Sequence, residues 1–383
     1  MEYQDKTFYK VVRKDLTHNR VVYKQGLNID PLEFNPNGSC QSGGLYFTDI
    51  EHLGRFYSYG ELVAVIMIPE DAQVYKDPDE DKWKADRFII DRFESIDSYW
   101  SDRIFCLDAV RQNGYAIKYV KEQTHELCLE AVKQNGYAIK YVKEQTHELC
   151  LEAVKQNGDA IQHVITKTSE ICMEAVKQYG FALQYVKKQS YELCLESVKQ
   201  NGYVLQYVDI KSKDLCLEAV KQNGRAIKYV DNQSTELCLE SVKQNSNAIK
   251  YVKEQSYEIC MEAVKKNGYA LAYVENQTPE ICLVAVKQNG NAVKYVDVKT
   301  PEICLEAVKQ NGCALDFVNI QTPEICLEAV KQNGCALDFV KEQTEELCLE
   351  SVRQNISALR FVQEQFKEFV DEHIKKLCLD SVK

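Results

Sequence analysis

Residues 300–318 read TPEICLEAVKQNGCALDFV, and the same segment returns unchanged at residues 322–340. The first cysteine of this segment recurs at a constant interval of 22 residues along most of the chain. The members of the series are Cys106, Cys128, Cys150, Cys172, Cys194, Cys216, Cys238, Cys260, Cys282, Cys304, Cys326 and Cys348. A fixed period of this size is typical of stacked copies of one supersecondary unit. The sequence therefore predicts a mostly α fold, in which about twelve 22-residue helix-turn-helix repeats over residues 101–383 form an α-solenoid with a C-terminal cap.

Each repeat begins with a residue that can cap a helix. The capping positions are Asp102, Thr124, Thr146, Thr168, Ser190, Ser212, Ser234, Ser256, Thr278, Thr300, Thr322 and Thr344. A side-chain oxygen at this place accepts hydrogen bonds from the free N–H groups of the first turn. Pro279, Pro301 and Pro323 follow directly, at the first helical position, where a missing N–H costs nothing. The caps predict that a first helix starts at the same place in every repeat.

A glycine such as Gly224 follows the first helix in ten of the repeats. Glycine is favoured after a helix because it adopts positive φ without strain, so we expect a left-handed turn there. Two repeats carry Ser246 and Ile356 instead. In those repeats we expect Asn245 and Asn355 to take the left-handed conformation, within looser turns.

One face of the first helix is apolar, formed in one repeat by Ile303, Cys304, Ala307 and Val308. The second helix of each repeat is shorter still, and helices of this length are marginal alone, so stacking must supply the core. Twelve of the 16 cysteines lie on this apolar face. A free thiol behaves there as a small apolar group, so we expect these cysteines to be buried and reduced.

The charge and hydropathy of the chain limit its partners. With 47 basic and 58 acidic residues, the net charge of −11 disfavours nucleic acid and anionic membranes. The first residues do not resemble a signal peptide, and the longest apolar run, at residues 62–68, is too short to span a bilayer. We therefore expect a cytoplasmic protein that binds neither nucleic acid nor membrane.

Two recurring patterns could be taken for ligand sites. His125 with Cys128, and His147 with Cys150, form two His-x-x-Cys pairs, but the other repeats lack the histidine, so no metal site is predicted. A tyrosine column that includes Tyr119 could stack on bases, but phenylalanine fills the same slot in later repeats. Packing between neighbouring repeats explains a large flat side chain there, so no nucleic-acid site is predicted.

Two other positions vary while the core positions barely change. One follows the turn, and the other is the exposed position of the second helix. From the latter column we take as candidate partner-binding residues Lys118, Lys140, Lys228, Lys250, Lys294, Asp316 and Asp338. The variation is either drift on a solvated surface or a graded binding surface. If it is a binding surface, the change from lysine to aspartate predicts that an extended partner binds in one direction only.

Residues 1–100 follow a different pattern. Short β-rich runs at residues 8–12, 20–23 and 62–68 are separated by turn signals that contain glycine and proline. The sequence therefore predicts a small α+β head domain over residues 1–100, with Tyr99-Trp100 covering the first layer of the solenoid.

Two resemblances concern lineage. The recurring core CLEAVKQNG, as at residues 304–312, resembles a repeat family of uncharacterised function that is common in giant-virus proteins. The segments YKQGLN at 23–28 and GGLYFTD at 43–49 resemble the N-terminal module that giant viruses of the mimivirus type place ahead of ankyrin-like repeats. Together these resemblances cover nearly the whole chain. They imply a modular viral repeat protein of the host cytoplasm, with virion association as an alternative.

A further resemblance concerns chemistry. The segment GLYFTD at 44–49, then Tyr57 and a strand that ends at 68–70, is similar to the catalytic core of ADP-ribosyltransferases. In that family the loop and an aromatic at the place of Tyr57 hold nicotinamide. The first strand has Tyr9-Lys10 where the family has a His-Gly pair, and Glu94 is the candidate for its late glutamate.

The sequence favours binding over catalysis. An array of equal units lacks the convergence of unlike residues that a catalytic centre needs, whereas a solenoid offers a long surface to a partner. We predict a non-enzymatic scaffold or adaptor for protein partners, with no catalytic residue, cofactor or metal. The alternatives are an ADP-ribosyltransferase-like head that the solenoid directs to substrates, and self-association into a larger scaffold.

Overall fold

The computed structural model describes residues 6–19, 21–36, 41–77 and 82–380, with side chains described as far as residue 375. The chain divides into two compact units, Met1–Lys188 and Gln189–Lys383. Residues 37–40 and 78–81 and the side chain of Cys378 lie outside the described residues, so part of the turn signal Asn35-Pro-Asn-Gly38 is not described.

The first unit begins with a strand-rich head. Its strands are β1 (Phe8–Val12), β2 (Thr17–His18), β3 (Val21–Val22), β4 (Gly26–Ile29), β5 (Leu45–Phe47), β6 (Leu62–Met67), β7 (Val74–Lys76), β8 (Trp83–Ala85) and β9 (Arg87–Ser95). They form an antiparallel four-stranded sheet of order β1-β6-β9-β4, a three-stranded sheet of order β5-β8-β7, and the hairpin β2-β3. The inner faces of the two larger sheets enclose a core that includes Phe8, Phe47 and Phe88.

The runs at 8–12 and 62–68 are confirmed as β1 and β6. In contrast, β9 was not predicted, although at nine residues it is the longest strand of the described head. Its sequence, RFIIDRFES, mixes charges with apolar residues. The strand is central in the sheet, but its second half is largely exposed, so its pattern lacks the apolar run typical of a central strand.

The α-helices of the described chain belong to the repeats and to the segment that follows them. They are α1 (Arg103–Gln112), α2 (His125–Gln134), α3 (His147–Gln156), α4 (Ser169–Gln178), α5 (Tyr191–Gln200), α6 (Lys213–Gln222), α7 (Thr235–Gln244), α8 (Tyr257–Lys266), α9 (Pro279–Gln288), α10 (Pro301–Gln310), α11 (Pro323–Gln332), α12 (Glu345–Gln354) and α13 (Glu364–Asp380). The predicted α-solenoid of helix-turn-helix repeats is confirmed, with the repeats of each unit packed side by side. The C-terminal cap predicted after the last full repeat corresponds to α13, which is 17 residues long.

The second helix of each repeat is a 3₁₀ helix. These helices are Gly114–Tyr119, Gly136–Tyr141, Gly158–His163, Gly180–Tyr185, Gly202–Tyr207, Gly224–Tyr229, Ser246–Tyr251, Gly268–Tyr273, Gly290–Tyr295, Gly312–Phe317, Gly334–Phe339 and Ile356–Phe361. The head contributes two more, Leu53–Tyr59 and Ile96–Ser101.

The predicted helix caps are confirmed in all twelve repeats. The side chain of each capping residue accepts a hydrogen bond from the N–H three residues later, as Ser212 does from Leu215 at 3.3 Å. The core is also as predicted, because the apolar face of each first helix is buried and the twelve cysteines on it are free and buried.

The prediction for the turn glycines is wrong. In the described residues, positive φ occurs at Gly26, Gly43, Gly44, Leu16 and Asn19, all of them in the head. In the repeats the residue between the two helices is extended, with φ of about −150°, and the glycine is the first residue of the 3₁₀ helix. Conformational freedom is therefore not the reason for glycine here.

Close packing is the reason. A Cβ on Gly224 would overlap the backbone carbonyl oxygen of Ser241 in the next repeat, and one on Gly312 would overlap that of Ala329. Six of the repeat glycines also donate their N–H to a glutamine of the next first helix, as Gly312 does to Gln332 Oε1 at 2.6 Å. Each glycine therefore marks the point where two repeats come closest.

The two exceptions follow from this contact. Asn245 and Asn355 have φ of −147° and −151°, so they are not left-handed, and the turns are as tight as the others. Ser246 places a Cβ at the position that glycine holds in other repeats. In the next repeat, Lys266 replaces the glutamine whose Oε1 elsewhere lies about 3 Å from the position of this Cβ. Ile356 precedes α13 instead of another repeat, and it is 59% exposed.

A second glutamine, just before the helix cap, joins neighbouring repeats. Gln277 donates through Nε2 to the carbonyl oxygens of Leu271 and Tyr295, at 3.4 and 2.9 Å. Its Oε1 accepts from the N–H of Asp297 at 3.1 Å. The same bridging position holds Gln123, Gln145, Gln189, Gln233, Gln255, Gln321 and Gln343, and it holds lysine at 167, 211 and 299.

Head residues cover the first repeat. Gly54, in the 3₁₀ helix Leu53–Tyr59, approaches α1 so closely that a Cβ would overlap the carbonyl oxygen of Phe105. Asp108 in α1 accepts from the N–H and the guanidinium of Arg55, at 2.8 and 3.0 Å. Trp100 stacks on Tyr119 at 5.1 Å, as expected. A 3₁₀ helix of the head thus occupies the place that a preceding repeat would fill.

Candidate partner-binding face

The 3₁₀ helices place the two variable positions of each repeat, the one after the turn and the exposed one of the second helix, on the same surface. Side chains three residues apart eclipse in a 3₁₀ helix, so the second and fifth residues project from the same side. The first and fourth residues, such as Gly224 and Ile227, are buried, whereas the fifth, such as Lys228, is exposed. We call the surface formed by the second, fifth and sixth residues of these helices the 3₁₀ face.

In the first unit the 3₁₀ face carries two of the candidate lysines. Lys118 Nζ lies 4.5 Å from the ring centre of Tyr119, and Lys140 Nζ lies 5.6 Å from that of Tyr141. Tyr115 and Tyr141 of neighbouring repeats meet edge to face at 5.8 Å. Ammonium groups and aromatic rings therefore alternate along this surface, in contacts that attract through the ring quadrupole.

In the second unit three lysines repeat the arrangement. Lys228 lies 4.5 Å from Tyr229, Lys250 lies 4.8 Å from Tyr251, and Lys294 lies 4.6 Å from Tyr295, each measured from Nζ to the ring centre. Each of them also lies within 6 Å of an aromatic ring in a neighbouring repeat. The rings hold the lysine stems in place while the ammonium groups remain exposed.

Arg225 adds to this positive region, and it was not among the predicted site residues. Its Nε is buried and has no hydrogen-bond partner. Lys250, Lys228 and Arg225 lower the pKa of the Tyr251 phenol, through a hydrogen bond from Lys250 first and through charge second. The signal available in the sequence was an arginine in a column of unlike residues, because its permanent charge adds to the positive charge of this surface.

Asp316 and Asp338 lie on the same face, one and two repeats beyond Lys294. Both side chains are exposed. The second unit therefore brings Lys228, Lys250 and Lys294 onto one surface that continues to the two aspartates. Lys118 and Lys140 share the corresponding surface of the first unit.

The charges of the first helices are arranged differently. Lys213 pairs with Glu236 at 2.8 Å, and Lys287 pairs with Glu306 at 3.7 Å. Each pair joins the first helices of two neighbouring repeats. By contrast, no described carboxylate lies within 4 Å of the ammonium groups of Lys228, Lys250 or Lys294. The lysines of the 3₁₀ face thus retain their capacity to bind carboxylates.

The histidines of the two His-x-x-Cys pairs belong to the ion pairs of the first helices. His125 Nε2 lies 3.3 Å from Glu148, and His147 Nε2 lies 3.0 Å from Glu170. Their sequence neighbours Cys128 and Cys150 are buried in the core. Among the described residues, no three His, Cys, Asp or Glu side chains converge as a metal site requires.

The residues that resemble a transferase site make structural contacts. Tyr57 packs edge to face on Trp100 at 5.4 Å, and its hydroxyl accepts from Asn113 at 3.1 Å. Glu94 accepts from Tyr99 and from Arg92, each at 2.7 Å, and the Tyr99 hydrogen bond is the largest cause of its lowered pKa.

Comparison with known proteins agrees with the repeat architecture. The model of a family described as a domain of unknown function (DUF4116) matches eleven overlapping segments between residues 102 and 367, the first at 102–146 and the last at 322–367. The chain belongs to this family. Each match spans about two of the 22-residue repeats, so the family unit contains one interface between repeats.

Curated relatives come from Acanthamoeba polyphaga mimivirus. The chain is 33% identical over 90 residues to R868, a protein named as an ankyrin repeat protein. The aligned segment covers 22% of the chain and 45% of the relative. It is 35% identical over 100 residues to a second, R229, covering 22% of the chain and 33% of the relative. The chain thus matches less than half the length of these relatives. The predicted kinship with giant-virus repeat proteins is confirmed.

In the described part of the chain, no helix combines the length and the apolar composition needed to cross a membrane.

Proposed function

We propose that the protein is a non-enzymatic interaction scaffold whose 3₁₀ face binds an acidic, extended segment of a protein partner. The exposed lysines supply the charge for binding, because they rest on tyrosines instead of pairing with carboxylates. The guanidinium of Arg225 adds positive charge in the same region. Attraction of this kind mainly raises association rate and specificity, and it weakens as salt is added.

A protein partner is favoured over nucleic acid. The chain carries a net charge of −11, which repels a polyanion at long range. In the second unit the 3₁₀ face also carries Asp316 and Asp338, between Lys294 and Arg360, and the two carboxylates would repel a phosphate backbone. An extended peptide can instead place acidic residues near Lys228 to Lys294 and basic residues near the aspartates.

The kinship with mimivirus proteins and the free buried thiols support a site of action in the reducing cytoplasm of an infected host cell. We place the head, residues 1–100, at one end of the scaffold as a separate module. On this proposal the protein acts without catalysis, so incubation with labelled NAD gives neither transfer nor hydrolysis.

Charge reversal tests the face. A variant with Lys228, Lys250 and Lys294 changed to glutamate is expected to bind a fluorescent poly-glutamate peptide at least about tenfold more weakly, and with less salt dependence. Its melting temperature should stay nearly unchanged, since exposed charges contribute little to stability. Fluorescence anisotropy at several salt concentrations measures the affinity, and the same variants are used to capture partners from infected cells.

The matched control reverses Lys221, Lys243 and Lys265, which are exposed lysines of the first helices. It makes the same change in net charge on another surface. Equal loss of binding in both variants would show that only net charge matters and would contradict the proposed face. Unchanged binding in the first variant would move the partner site to the first helices, around Glu218, Lys221 and Gln222.

A further inference from the structure

The head contains a cavity of about 350 Å³ beside β1. This volume is within the range of sites for small molecules. Strand β1 contributes Lys10, the hairpin contributes His18, and β5 contributes Tyr46, while Tyr59 and Lys82 close other sides. The cavity lies within the strand-rich head and shares no residue with the 3₁₀ face.

Lys10 stands where the strand pattern requires an apolar residue. Side chains two apart on a strand share a face, and Phe8 and Val12 on either side of Lys10 belong to the core of the head. Only 6% of the Lys10 surface is exposed. A lysine in such a position costs stability unless its charge is compensated, and an apolar side chain would fit the same space.

The amine of Lys10 is incompletely satisfied. Its Nζ donates to the carbonyl oxygen of Tyr46 at 2.6 Å and lies 5.1 Å from the ring centre of Tyr23. No described carboxylate lies within 4 Å of it. An ammonium has three donors, so two remain without an acceptor from the described residues. Burial lowers the pKa of Lys10 to about 7.

The other described lining residues are mainly aromatic, with a second lysine and the neutral polar residues Asn19 and Thr48 among them. Lys82 lies 5.4 Å from the ring of Tyr46, measured from Nζ to the ring centre. Burial and, next, the charge of Lys10 lower the pKa of His18 to about 4, so its imidazole is neutral at pH 7. Among the described residues that line the cavity there is no Asp or Glu, although residues 1–100 contain 18 acidic and 12 basic residues. The buried amine of Lys10 in this lining makes the cavity suited to a negative ligand.

We propose that this cavity binds a small organic anion, with a phosphate or carboxylate group held by Lys10 and a flat body lying among the tyrosine rings. The anion supplies the acceptors and the negative charge that Lys10 lacks. This accounts for a lysine in a core position of the strand, because the stability it costs is recovered when the ligand is bound.

A chemical label tests the site. Pyridoxal 5′-phosphate is an aromatic aldehyde with a phosphate group, and its aldehyde condenses with a neutral amine to give an imine and water. Borohydride then reduces the imine to a stable secondary amine, which peptide mass spectrometry locates. At pH 7.5, Lys10 is expected to be labelled at least about tenfold faster than the exposed Lys14, because far more of it is neutral.

Competition and a matched variant complete the test. Phenyl phosphate or benzoate, added first, should slow the labelling of Lys10 and leave that of Lys14 unchanged. Protection by one compound alone assigns the phosphate or the carboxylate as the preferred group. The protecting compound should also raise the melting temperature of the wild type but not of Lys10→Met, whose side chain suits the apolar surroundings.

Three results would overturn the proposal. One is labelling of Lys10 at the rate of Lys14. Another is fast labelling that neither competitor slows. The third is an equal thermal shift in the wild type and in Lys10→Met, since the anion would then bind elsewhere.

Discussion

At the scale of single residues, the cysteines divide into two environments. The thiol of the first helix is buried in every repeat, as in Cys216, which is 4% exposed. Burial raises the pKa of these thiols, to about 11 for Cys128 and Cys282. Cys313 and Cys335 instead follow the turn and are only partly buried. Burial raises the pKa of Cys313 as well, so a difference in reactivity between the two groups would come from access of the reagent to the sulfur.

We expect a thiol reagent at pH 8 to modify Cys313 and Cys335 rapidly in the folded protein and the twelve core cysteines slowly. The experiment uses a variant with Cys40 and Cys378 changed to serine, so that only thiols of described environment are counted. Absorbance gives the stoichiometry, and peptide mass spectrometry gives the positions. Rapid modification of most core cysteines would contradict their burial, and so would disulfides between them. As a companion measurement, Cys216→Ala should be mild, whereas Cys216→Asp should destabilise by several kcal/mol, because it buries a charge.

At the scale of elements, the contacts between repeats depend on side chains that reach from one loop to the next. The bridging glutamine is suited to this role because an amide both donates and accepts. Lysine at the same position can only donate. Lys299 Nζ bonds the Val296 carbonyl oxygen at 3.1 Å, within its own repeat. Repeats with lysine therefore lack one of the links that the others have.

Exchanging the two residue types tests this link. Gln277→Lys should lower the free energy of unfolding by about 1 kcal/mol, because it removes the hydrogen bonds that Gln277 makes to the Tyr295 carbonyl oxygen and the Asp297 N–H. Lys299→Gln should raise the free energy by up to about 1 kcal/mol, because it supplies the missing bridge. Urea unfolding followed by circular dichroism measures both. Shifts in the same direction for the two variants would show that the glutamine is not a bridge.

The sequence alone was sufficient to predict those features of the repeats that are determined by residues close to them in the chain. Helix caps and the apolar face follow from neighbouring residues, so all twelve repeats could be predicted. The role of glycine could not, because the atom that excludes a side chain at Gly224 belongs to Ser241, in the next repeat. Arg225 and Lys10 were missed as site residues for a similar reason. Their unused donors become evident only when every neighbouring group is placed.

At the scale of the whole molecule, each repeat contacts mainly its neighbours in sequence, so stability is a sum of local terms. Gly224→Ala should cost about 1–3 kcal/mol by pushing the repeats of α6 and α7 apart. The matched control is Ser246→Ala, at a slot that already accepts a Cβ. Hydrogen exchange should rise first in α6 and α7 and remain slow in α10 and α11. A uniform rise along the second unit would contradict the nearest-neighbour model.

Ile356 bears on how large an assembly of this protein can become. It fills the slot where glycine elsewhere admits the backbone of the next repeat, and a branched side chain there would collide with an incoming carbonyl. A further 22-residue repeat therefore could not pack on the twelfth repeat as the glycine-bearing repeats pack on one another. Head-to-tail contacts that never close lead to filaments. A branched side chain at this slot thus works against continuation of the stack into a filament.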